Sequence, residues 1–175
     1  MIKHLVSVDN PILTTKTEPF DFANSPCDVT QLAMDLIETM NFYQGIGLSA
    51  NQVGLPYRVF VMRAETPFVC FNPKIVMPSE ELITLEEGCL SIPGLIAKVT
   101  RSKHVKVRFQ TPSGVVVTKT FTGMTARCFQ HEMDHMDGIF FFDGIGRLKM
   151  EKAIKDAKKR GYNYDGLNLM KHAIA

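Results

Sequence analysis

The chain has 175 residues, of which 45% are hydrophobic and 22% are charged, and its formal net charge is +2. This length favours a single domain, which we place over residues 1–175, with a core large enough to need no disulfides. The small net charge argues against a specific nucleic-acid site, and no segment approaches the about 18 apolar residues that would span a membrane.

The N-terminal residues lack both the apolar stretch of a secretory signal and the arginines of a transit peptide, which predicts a cytoplasmic protein. The four cysteines are Cys27, Cys70, Cys89 and Cys128, and none of them forms a Cys-x-x-Cys pair. In a reducing compartment such residues are core residues, metal ligands or nucleophiles rather than disulfides.

The first predicted helix begins after Asp28, which can cap it, and Gln31 is expected to complete a capping box. Apolar residues then recur with the 3.6-residue period of one buried face. The helix is expected to end before Gly45, because glycines permit backbone conformations that other residues resist.

The middle of the chain predicts strands at 58–62, 68–71, 81–85, 96–100, 105–109 and 115–121. The second of these is expected to stop at Asn72 and Pro73. Two more helices are predicted, at 126–136 and 148–160, ending near Gly138 and Gly161. Because the strands run together, the fold class is α+β: mostly antiparallel strands around a central metal-binding helix, with an N-terminal and a C-terminal helix.

The strongest chemical signal is His131-Glu132-Met133-Asp134-His135, on the second predicted helix. His131 and His135 are about one turn apart, so both imidazoles project from one face and can bind a single metal ion. Glu132 lies about 100° round from His131, where it can take a proton from the metal's water. This pattern is typical of metal-dependent hydrolases.

A catalytic metal of this kind needs a third protein ligand and one open position. Phe141 stands where a metzincin has its third His, and Glu151, which a thermolysin-like enzyme would use, stands among lysines. Cys89 and Cys128 are better candidates. Both together would give a closed, structural Cys₂His₂ site, whereas Cys89 alone leaves the position open, which the presence of Glu132 favours.

A third segment, Gly45-Ile46-Gly47-Leu48-Ser49-Ala50-Asn51-Gln52, is consistent with a plain turn after a helix. It lacks the glycine spacing and the preceding strand of a dinucleotide-binding site. Its Gln52 can, however, present a side-chain amide as a neutral donor to a developing oxyanion.

These segments occur in the same order in peptide deformylases. Residues 45–52 resemble the family's Gly-x-Gly-Leu-Ala-Ala-x-Gln, residues 87–91 (Glu-Gly-Cys-Leu-Ser) match its second motif, and residues 131–135 match its His-Glu-x-x-His. The likeness extends from about Val8 to Leu148 and does not cover the tail beyond about 161. Ser49 and Met136 depart from the usual Ala and Leu.

The resemblance implies hydrolysis of the formyl group from the N-terminal formyl-methionine of nascent chains, with release of formate. It implies that Cys89, His131 and His135 bind Fe²⁺, which Zn²⁺, Ni²⁺ or Co²⁺ can replace. Gln52 and the backbone N–H of Leu90 would donate to the oxyanion. Glu132 would carry the proton from water to the leaving amine. Iron beside a thiolate predicts activity that declines in air and survives better with nickel.

The resemblance also implies a pocket for the substrate methionine, and the matching positions are Ile46, Gly47, Leu48, Met124, Arg127 and Cys128. Cys128 then becomes a pocket wall rather than a ligand, and Glu87 an anchor for the cysteine loop. Arg127 stands where an apolar residue is easier to place. It is expected either to favour an acidic group on the peptide beyond methionine or to be exposed and inert.

The expected partners are formyl-methionyl peptides of nascent chains, with transient ribosome contact. Two rival functions are considered, the first with the same three metal ligands and the second with Cys128 as a fourth. A metal-dependent endopeptidase would cut unblocked peptides, and a non-catalytic protein with a structural Cys₂His₂ site would lose its metal in Cys128→Ser.

Overall fold

A computed structural model of the chain describes residues 1–173. In chain order the elements are α1 (Val29–Phe42), β1 (Gly47–Ser49), β2 (Val59–Met62), β3 (Phe68–Pro78), β4 (Leu82–Cys89), β5 (Ile92–Ser102), β6 (His104–Gln110), β7 (Val116–Thr122), α2 (Gly123–Met136) and α3 (Arg147–Lys159). Short 3₁₀ helices lie at Pro11–Thr14, Ala50–Val53 and Leu169–His172. None of the helices in the described part of the chain is long and apolar enough to cross a membrane.

The strands form two sheets. Five strands pair in the order β1-β2-β3-β6-β7, and β4 pairs with β5 alone. Every one of these strand pairings is antiparallel. The predicted α+β class with mostly antiparallel pairing is therefore confirmed.

The five-stranded sheet separates two hydrophobic clusters. Side chains on a strand alternate between its faces, so Phe60 of β2 faces Phe129 of α2 while Val59 and Val61 face the other way. Leu36 of α1 packs with those two valines. The helix α2 therefore lies across one face of the sheet and α1 across the other. Because α2 also contacts β5, it lies between the two sheets and is the central helix.

A third hydrophobic cluster joins β5 to the C-terminal part of the chain. Ile92 and Leu95 of β5 pack with Phe142, with Met150 of α3 and with Leu169 of the last 3₁₀ helix. The tail beyond residue 161 thus packs on the body of the protein as far as it is described. One of its hydrogen bonds reaches the start of β5, directly after the turn that follows Cys89.

The N-terminal cap of α1 is confirmed in part. The Asp28 carboxylate accepts a hydrogen bond from the backbone N–H of Gln31 at 2.9 Å. The predicted capping box is wrong, because the Gln31 amide donates instead to the carboxylate of Asp35, one turn further along the helix, at 2.6 Å.

The predicted end at Asn72 of the strand at 68–71, which is β3 of the structure, is also wrong. Strand β3 continues to Pro78 through a bulge, with a register shift between Phe71 and Lys74. Asn72 has φ +48° and its side chain bonds both backbone groups of Phe20. Pro73 is tolerated because the unpaired residue of a bulge needs no ladder hydrogen bond.

Three further predictions differ from the structure at their ends. Strand β4 runs to Cys89, beyond the predicted 81–85, and β5 spans Ile92–Ser102, beyond the predicted 96–100. The helix α2 begins at Gly123, which has φ +56°, rather than at residue 126.

Candidate active site

The structure brings Cys89, His131 and His135 together. One donor atom from each of the three side chains lies within 4.8 Å of the others. The end of β4 supplies the cysteine and α2 supplies both histidines, with Cys89 Sγ 3.2 Å from His135 Nε2. A thiolate and two imidazoles form a donor set that suits zinc, iron and neighbouring transition metals.

The charges of the metal-free cluster favour an ionised cysteine. Burial alone would raise the pKa of the Cys89 thiol, but His135 and His131 hold it well below its ordinary value. Burial likewise disfavours a charged His131, yet the Cys89 thiolate and the Glu87 carboxylate raise its pKa to about 10. The thiolate that a metal would bind is therefore present beforehand.

Glu132 is a buried carboxyl group, with a side chain that is almost fully covered. Its Oε2 atom accepts no hydrogen bond from any described residue. Burial raises its pKa to about 7, with the Cys89 thiolate acting in the same direction and the two histidines against it. A carboxyl group with a pKa near neutral can both accept and return a proton.

Gly47 of β1 is required by this carboxylate. A Cβ atom at Gly47 would lie 2.3 Å from Glu132 Oε1 and 2.7 Å from Cys128 Sγ. No side chain can occupy that space, so β1 passes directly over the acid/base candidate.

Gln52 is oriented by its own 3₁₀ helix. Its Oε1 accepts from the backbone N–H of Ser49 at 2.9 Å and from the Ser49 hydroxyl at 3.1 Å. The amide nitrogen Nε2 therefore faces the cluster, where it donates to Ser91 Oγ at 2.9 Å and lies 3.4 Å from Cys89 Sγ. Gln52 is thus placed beside the metal ligands with a donor directed at them.

Three supporting residues were missed from the sequence. Asn51 donates to the backbone carbonyl of His135 at 2.7 Å, Ser49 bonds Asn51 at 2.9 Å, and Ser91 accepts from Gln52. All three stand inside the quoted motifs, directly beside residues with assigned roles. That adjacency was the available signal.

Glu87 does more than anchor the cysteine loop. Its Oε2 accepts from His131 Nδ1 at 2.9 Å, which leaves Nε2 of that ring for a metal. Arg101 binds both of its oxygens, at 2.6 and 2.8 Å, and Arg127 binds Oε1 at 2.8 Å. Burial would raise the pKa of Glu87, but the hydrogen bonds from Arg101 and His131 hold it far below its usual range.

Arg101 carried no sequence signal. It stands 14 residues from Glu87 on the next strand, and only the pairing of β4 with β5 brings the two side chains together. Its guanidinium also lies 2.8 Å from Asp134 of α2.

One pocket opens beside the cluster, and most of the predicted substrate-binding residues line it. Ile46, Gly47, Met124, Arg127 and Cys128 stand in its walls together with Leu90, Gln52, Cys89, His131 and Glu132. Ile46 and Met124 are about half exposed, so their side chains are free to contact a ligand.

Leu48 is the exception. Its side chain is fully buried and packs with Leu36 and Met40 of α1. Because alternate residues of a strand face opposite sides, Gly47 lies over the pocket while Leu48 points to the helix behind. The side chain of Leu48 is therefore not available to a ligand, and contact of its backbone with substrate stays a prediction.

The closed Cys₂His₂ alternative is also wrong. Cys128 stands apart from the ligand group, and its Sγ lies 3.3 Å from the backbone carbonyl of Ile46. Burial, reinforced by nearby Glu132, raises the pKa of this thiol well above its ordinary value, so it stays neutral. Glu151 is exposed on α3 and pairs with Arg147 at 3.0 Å, away from the site.

Arg127 is buried, so the expectation of an exposed, inert arginine is wrong. The reason is that the β4–β5 pair covers this side of α2. Its guanidinium donates to Glu87, to the Val99 carbonyl at 2.9 Å and to the Ile83 carbonyl at 2.6 Å. Contact with an acidic group of a peptide stays a prediction.

The family model described as polypeptide deformylase matches residues 2–151. The chain belongs to the polypeptide deformylase family. The deformylase of Erythrobacter litoralis (strain HTCC2594) is 38% identical over 90% of this chain and 96% of its own length. That of Bartonella henselae is 37% identical over 91% and 93%.

Solved deformylase structures have the same fold. The crystal structure from Thermotoga maritima has a TM-score of 0.75 and 35% identity, and covers 82% of this chain and 97% of its own. The Synechococcus elongatus enzyme in complex with actinonin has a TM-score of 0.83 and 32% identity, with 95% and 90% covered.

Membership of the deformylase family establishes the activity in outline. The chain is a metal-dependent hydrolase that removes the formyl group from the N-terminal formyl-methionine of newly made polypeptides. The family model ends at residue 151. Most of α3 and the tail that packs on the β4–β5 turn extend beyond it.

Proposed function

We propose that deformylation takes place in the pocket between β1, α2 and the β4–β5 turn, with Glu132 as the acid/base. The observation that carries this proposal is the buried Oε2 of Glu132, which has no hydrogen-bond partner among the described residues and lies beside the thiolate and imidazole donors. A buried carboxyl group without a partner is costly to a fold, and such groups concentrate at functional sites.

Cys89, His131 and His135 are the metal ligands in this proposal, and Fe²⁺ is the resident metal, replaceable by Zn²⁺, Ni²⁺ or Co²⁺. Three protein ligands leave a fourth position for water, as in catalytic rather than structural sites. When bound, the metal would make that water acidic enough to attack near neutral pH and would polarise the formyl oxygen.

Glu132 handles the proton. Its Oε2 accepts a proton from the attacking water while the water oxygen forms a bond to the formyl carbon. The carbon–nitrogen bond then breaks, and Glu132 returns the proton to the leaving amine nitrogen, so that formate and a free N-terminus are released. A pKa near neutral suits both transfers.

Gln52 and Leu90 stabilise the negative charge that develops on the formyl oxygen. Ser91 holds one N–H of the Gln52 amide, and the other points towards Cys89, where the reacting group would lie. Leu90 follows Cys89 directly in the turn after β4, so its backbone N–H is available at the same place. Removal of a donor of this kind typically costs about 10²- to 10³-fold in kcat.

The methionine side chain of the substrate enters the pocket walled by Ile46, Gly47, Met124 and Cys128. The neutral Cys128 thiol and the apolar walls suit an unbranched thioether.

We also infer a cytoplasmic location and a transient ribosome contact, because the substrates are nascent chains. Lys149 and Lys155 lie on the exposed side of α3 and offer a basic surface for such a contact. Glutamate at both positions should reduce co-sedimentation with ribosomes and leave formate release from a free tripeptide unchanged. Unchanged co-sedimentation would contradict the contact.

The decisive experiment measures formate release from a formyl-Met tripeptide, with protein loaded with Fe²⁺ without air or with Ni²⁺ in air. We expect Glu132→Gln to keep its metal and lose turnover, because the amide cannot accept the proton. Glu151→Gln is the matched control, since its carboxylate is exposed on α3, and it should retain full activity.

An unblocked peptide is incubated in parallel and should remain intact. Formate release by Glu132→Gln at the wild-type rate would refute the role of this carboxylate. Internal cleavage of the unblocked peptide would instead indicate an endopeptidase.

The identity of the resident metal is tested by how long the metal-loaded enzyme stays active in air. The iron-loaded enzyme should lose activity faster than the nickel-loaded enzyme, because Cys89 beside Fe²⁺ is open to oxidation. Equal lifetimes would contradict this proposal.

A further inference from the structure

The metal ligands come from two elements that share no backbone ladder. Cys89 ends β4, whereas His131 and His135 lie on α2, and β4 pairs only with β5. The hydrogen bonds of the five-stranded sheet therefore do not fix the cysteine relative to the histidines. Side chains that cross from α2 to the β4–β5 pair have to set that distance.

Arg127 makes the most extensive of these crossings. From α2, its guanidinium donates to the Ile83 carbonyl on β4 at 2.6 Å and to the Val99 carbonyl on β5 at 2.9 Å. One planar group thus holds both strands of the pair. A guanidinium can do this because its donors are fixed in a rigid fork, which a lysine ammonium lacks.

The same guanidinium also binds the carboxylate of Glu87. Its Nη1 lies 2.8 Å from Glu87 Oε1, and the other oxygen of that carboxylate accepts from His131 Nδ1 at 2.9 Å. Hydrogen bonds of this kind set the ring orientation and tautomer of a metal-binding histidine. Arg127 and Arg101 between them leave the Glu87 carboxylate little freedom to turn.

We propose that Arg127 is a positioning residue of the metal centre. It fixes the cysteine strand on the histidine helix and, through Glu87, holds the ring of His131 ready for the metal. This inference rests on the proposed metal site. It also gives a physical reason for a buried arginine at a position where the sequence favours an apolar residue.

The first test is metal affinity without substrate, measured by competition with a chelator. Arg127→Leu removes the donors and keeps an apolar side chain, and it should weaken Zn²⁺ binding by about 10- to 100-fold. Arg58→Leu is the matched control, because Arg58 also binds α2, at the Met136 carbonyl and Asp137, both at 3.0 Å, but does not contact Glu87. The control should bind Zn²⁺ as the wild type does.

Arg127→Lys covers the case in which Arg127→Leu fails to fold. A lysine can reach one acceptor but not all three, so it should lose part of the affinity. Wild-type affinity in a folded Arg127→Leu or Arg127→Lys would overturn the proposal.

A double-mutant cycle separates positioning from general stability. Glu87→Gln and Arg127→Leu should together weaken metal binding by less than the product of their separate effects, because both act through the ring orientation of His131. The visible spectrum of the Co²⁺-loaded protein should change in the same way in both single variants, since both free the ring of His131. Fully additive losses, or an unchanged cobalt spectrum in Arg127→Leu, would contradict the inference.

Substrate recognition is the remaining alternative role of Arg127. Loss of kcat should be equal for tripeptides with Ser or Glu after formyl-Met, with KM unchanged. A loss confined to the Glu peptide would assign Arg127 to the substrate and overturn positioning. Because affinity is measured without substrate, a wild-type protein that binds metal but releases no formate would count against the proposed function alone.

Discussion

At the scale of single residues, the metal-free site already holds the charges that a metal would require. The Cys89 thiol has a pKa well below its ordinary value, and Glu87 is ionised between two arginines. His131 is the exception. Although burial opposes its charge, Cys89 and Glu87 raise its pKa to about 10, so the ring carries a second proton near neutral pH. A metal must displace that proton.

Metal binding should therefore release about one proton between pH 6 and 8, and affinity should rise about tenfold per pH unit over this range. The cysteine contributes little to this release, because it is already a thiolate. Calorimetry of Zn²⁺ binding in buffers of different ionisation enthalpy measures the number of protons. A value near zero at pH 7 would contradict a protonated His131 in the metal-free protein.

Glu132 should make the stability of the metal-free protein depend on pH. Its pKa is about 7 in the folded protein and about 4.3 in an unfolded chain. Between these values the folded state holds a proton that the unfolded state has lost, so stability falls as pH rises. Glu132→Gln removes this loss and should raise the free energy of unfolding at pH 8 on the order of 2 kcal/mol relative to wild type.

At pH 4.5 the gain should be much smaller, because both folded and unfolded wild type then carry much of the proton. Urea unfolding of metal-free proteins at the two pH values measures the difference, with Glu151→Gln as the exposed control. An equal gain at both pH values would show that ionisation of Glu132 is not its cause.

At the scale of elements, local patterns predicted what local physics decides. The period of α1 and the alternation of β6 mark single buried faces, and both elements appear close to where they were expected. The continuation of β4 from residue 85 to Cys89 was not predicted, because residues 82–86 are all exposed and no alternation marks the course of the strand. The bulge in β3 was not predicted because Asn72-Pro73 has the composition of a turn. Only the pairing with β6 continues the strand beyond it.

The residues of the candidate site also divide into those that local sequence predicts and those that only the fold brings together. His131, Glu132 and His135 could be found because one helix fixes their spacing. The arginines on Glu87 could not, because they lie 14 and 40 residues away and meet it only through strand pairing and helix docking. The direction of the Leu48 side chain could not be predicted either, because a motif records neighbours in sequence and not the face to which each side chain points.

The bulge itself gives a prediction. The Asn72 side chain bonds the Phe20 N–H at 2.7 Å, the Phe20 carbonyl at 2.9 Å and Gln110 at 2.8 Å, and its φ of +48° suits asparagine better than alanine. Asn72→Ala should lower the free energy of unfolding by about 2–4 kcal/mol. Asn24→Ala, whose amide bonds only exposed Asp21, should cost less than about 0.5 kcal/mol. Equal costs in urea unfolding would contradict a structural role for the bulge.

At the scale of the whole molecule, the chain's last described segment contacts the start of β5, directly after the turn that follows Cys89. Arg160 donates to the Gly94 carbonyl at 2.9 Å, and the Tyr164 hydroxyl donates to the Pro93 carbonyl. Tyr162 lies against Gly94 itself. These residues lie beyond the family model, yet they contact the strand that follows Cys89 and Leu90. The C-terminal segment therefore packs on the strand that follows the candidate metal ligand Cys89.

Gly94→Ala tests whether the C-terminal segment stabilises the start of β5. Gly94 has φ +78°, and an added Cβ would lie 2.1 Å from the Tyr162 ring, so the substitution both strains the backbone and displaces the tyrosine. Gly166→Ala is the control, because it has φ +90° and no neighbour within 4 Å, and it should cost only the strain of about 1 kcal/mol. We expect Gly94→Ala to lose at least about 2 kcal/mol and to be cleaved faster by chymotrypsin after Tyr162, since a displaced segment exposes its backbone. Equal losses and equal cleavage in the two variants would mean that the segment contacts the start of β5 without stabilising it.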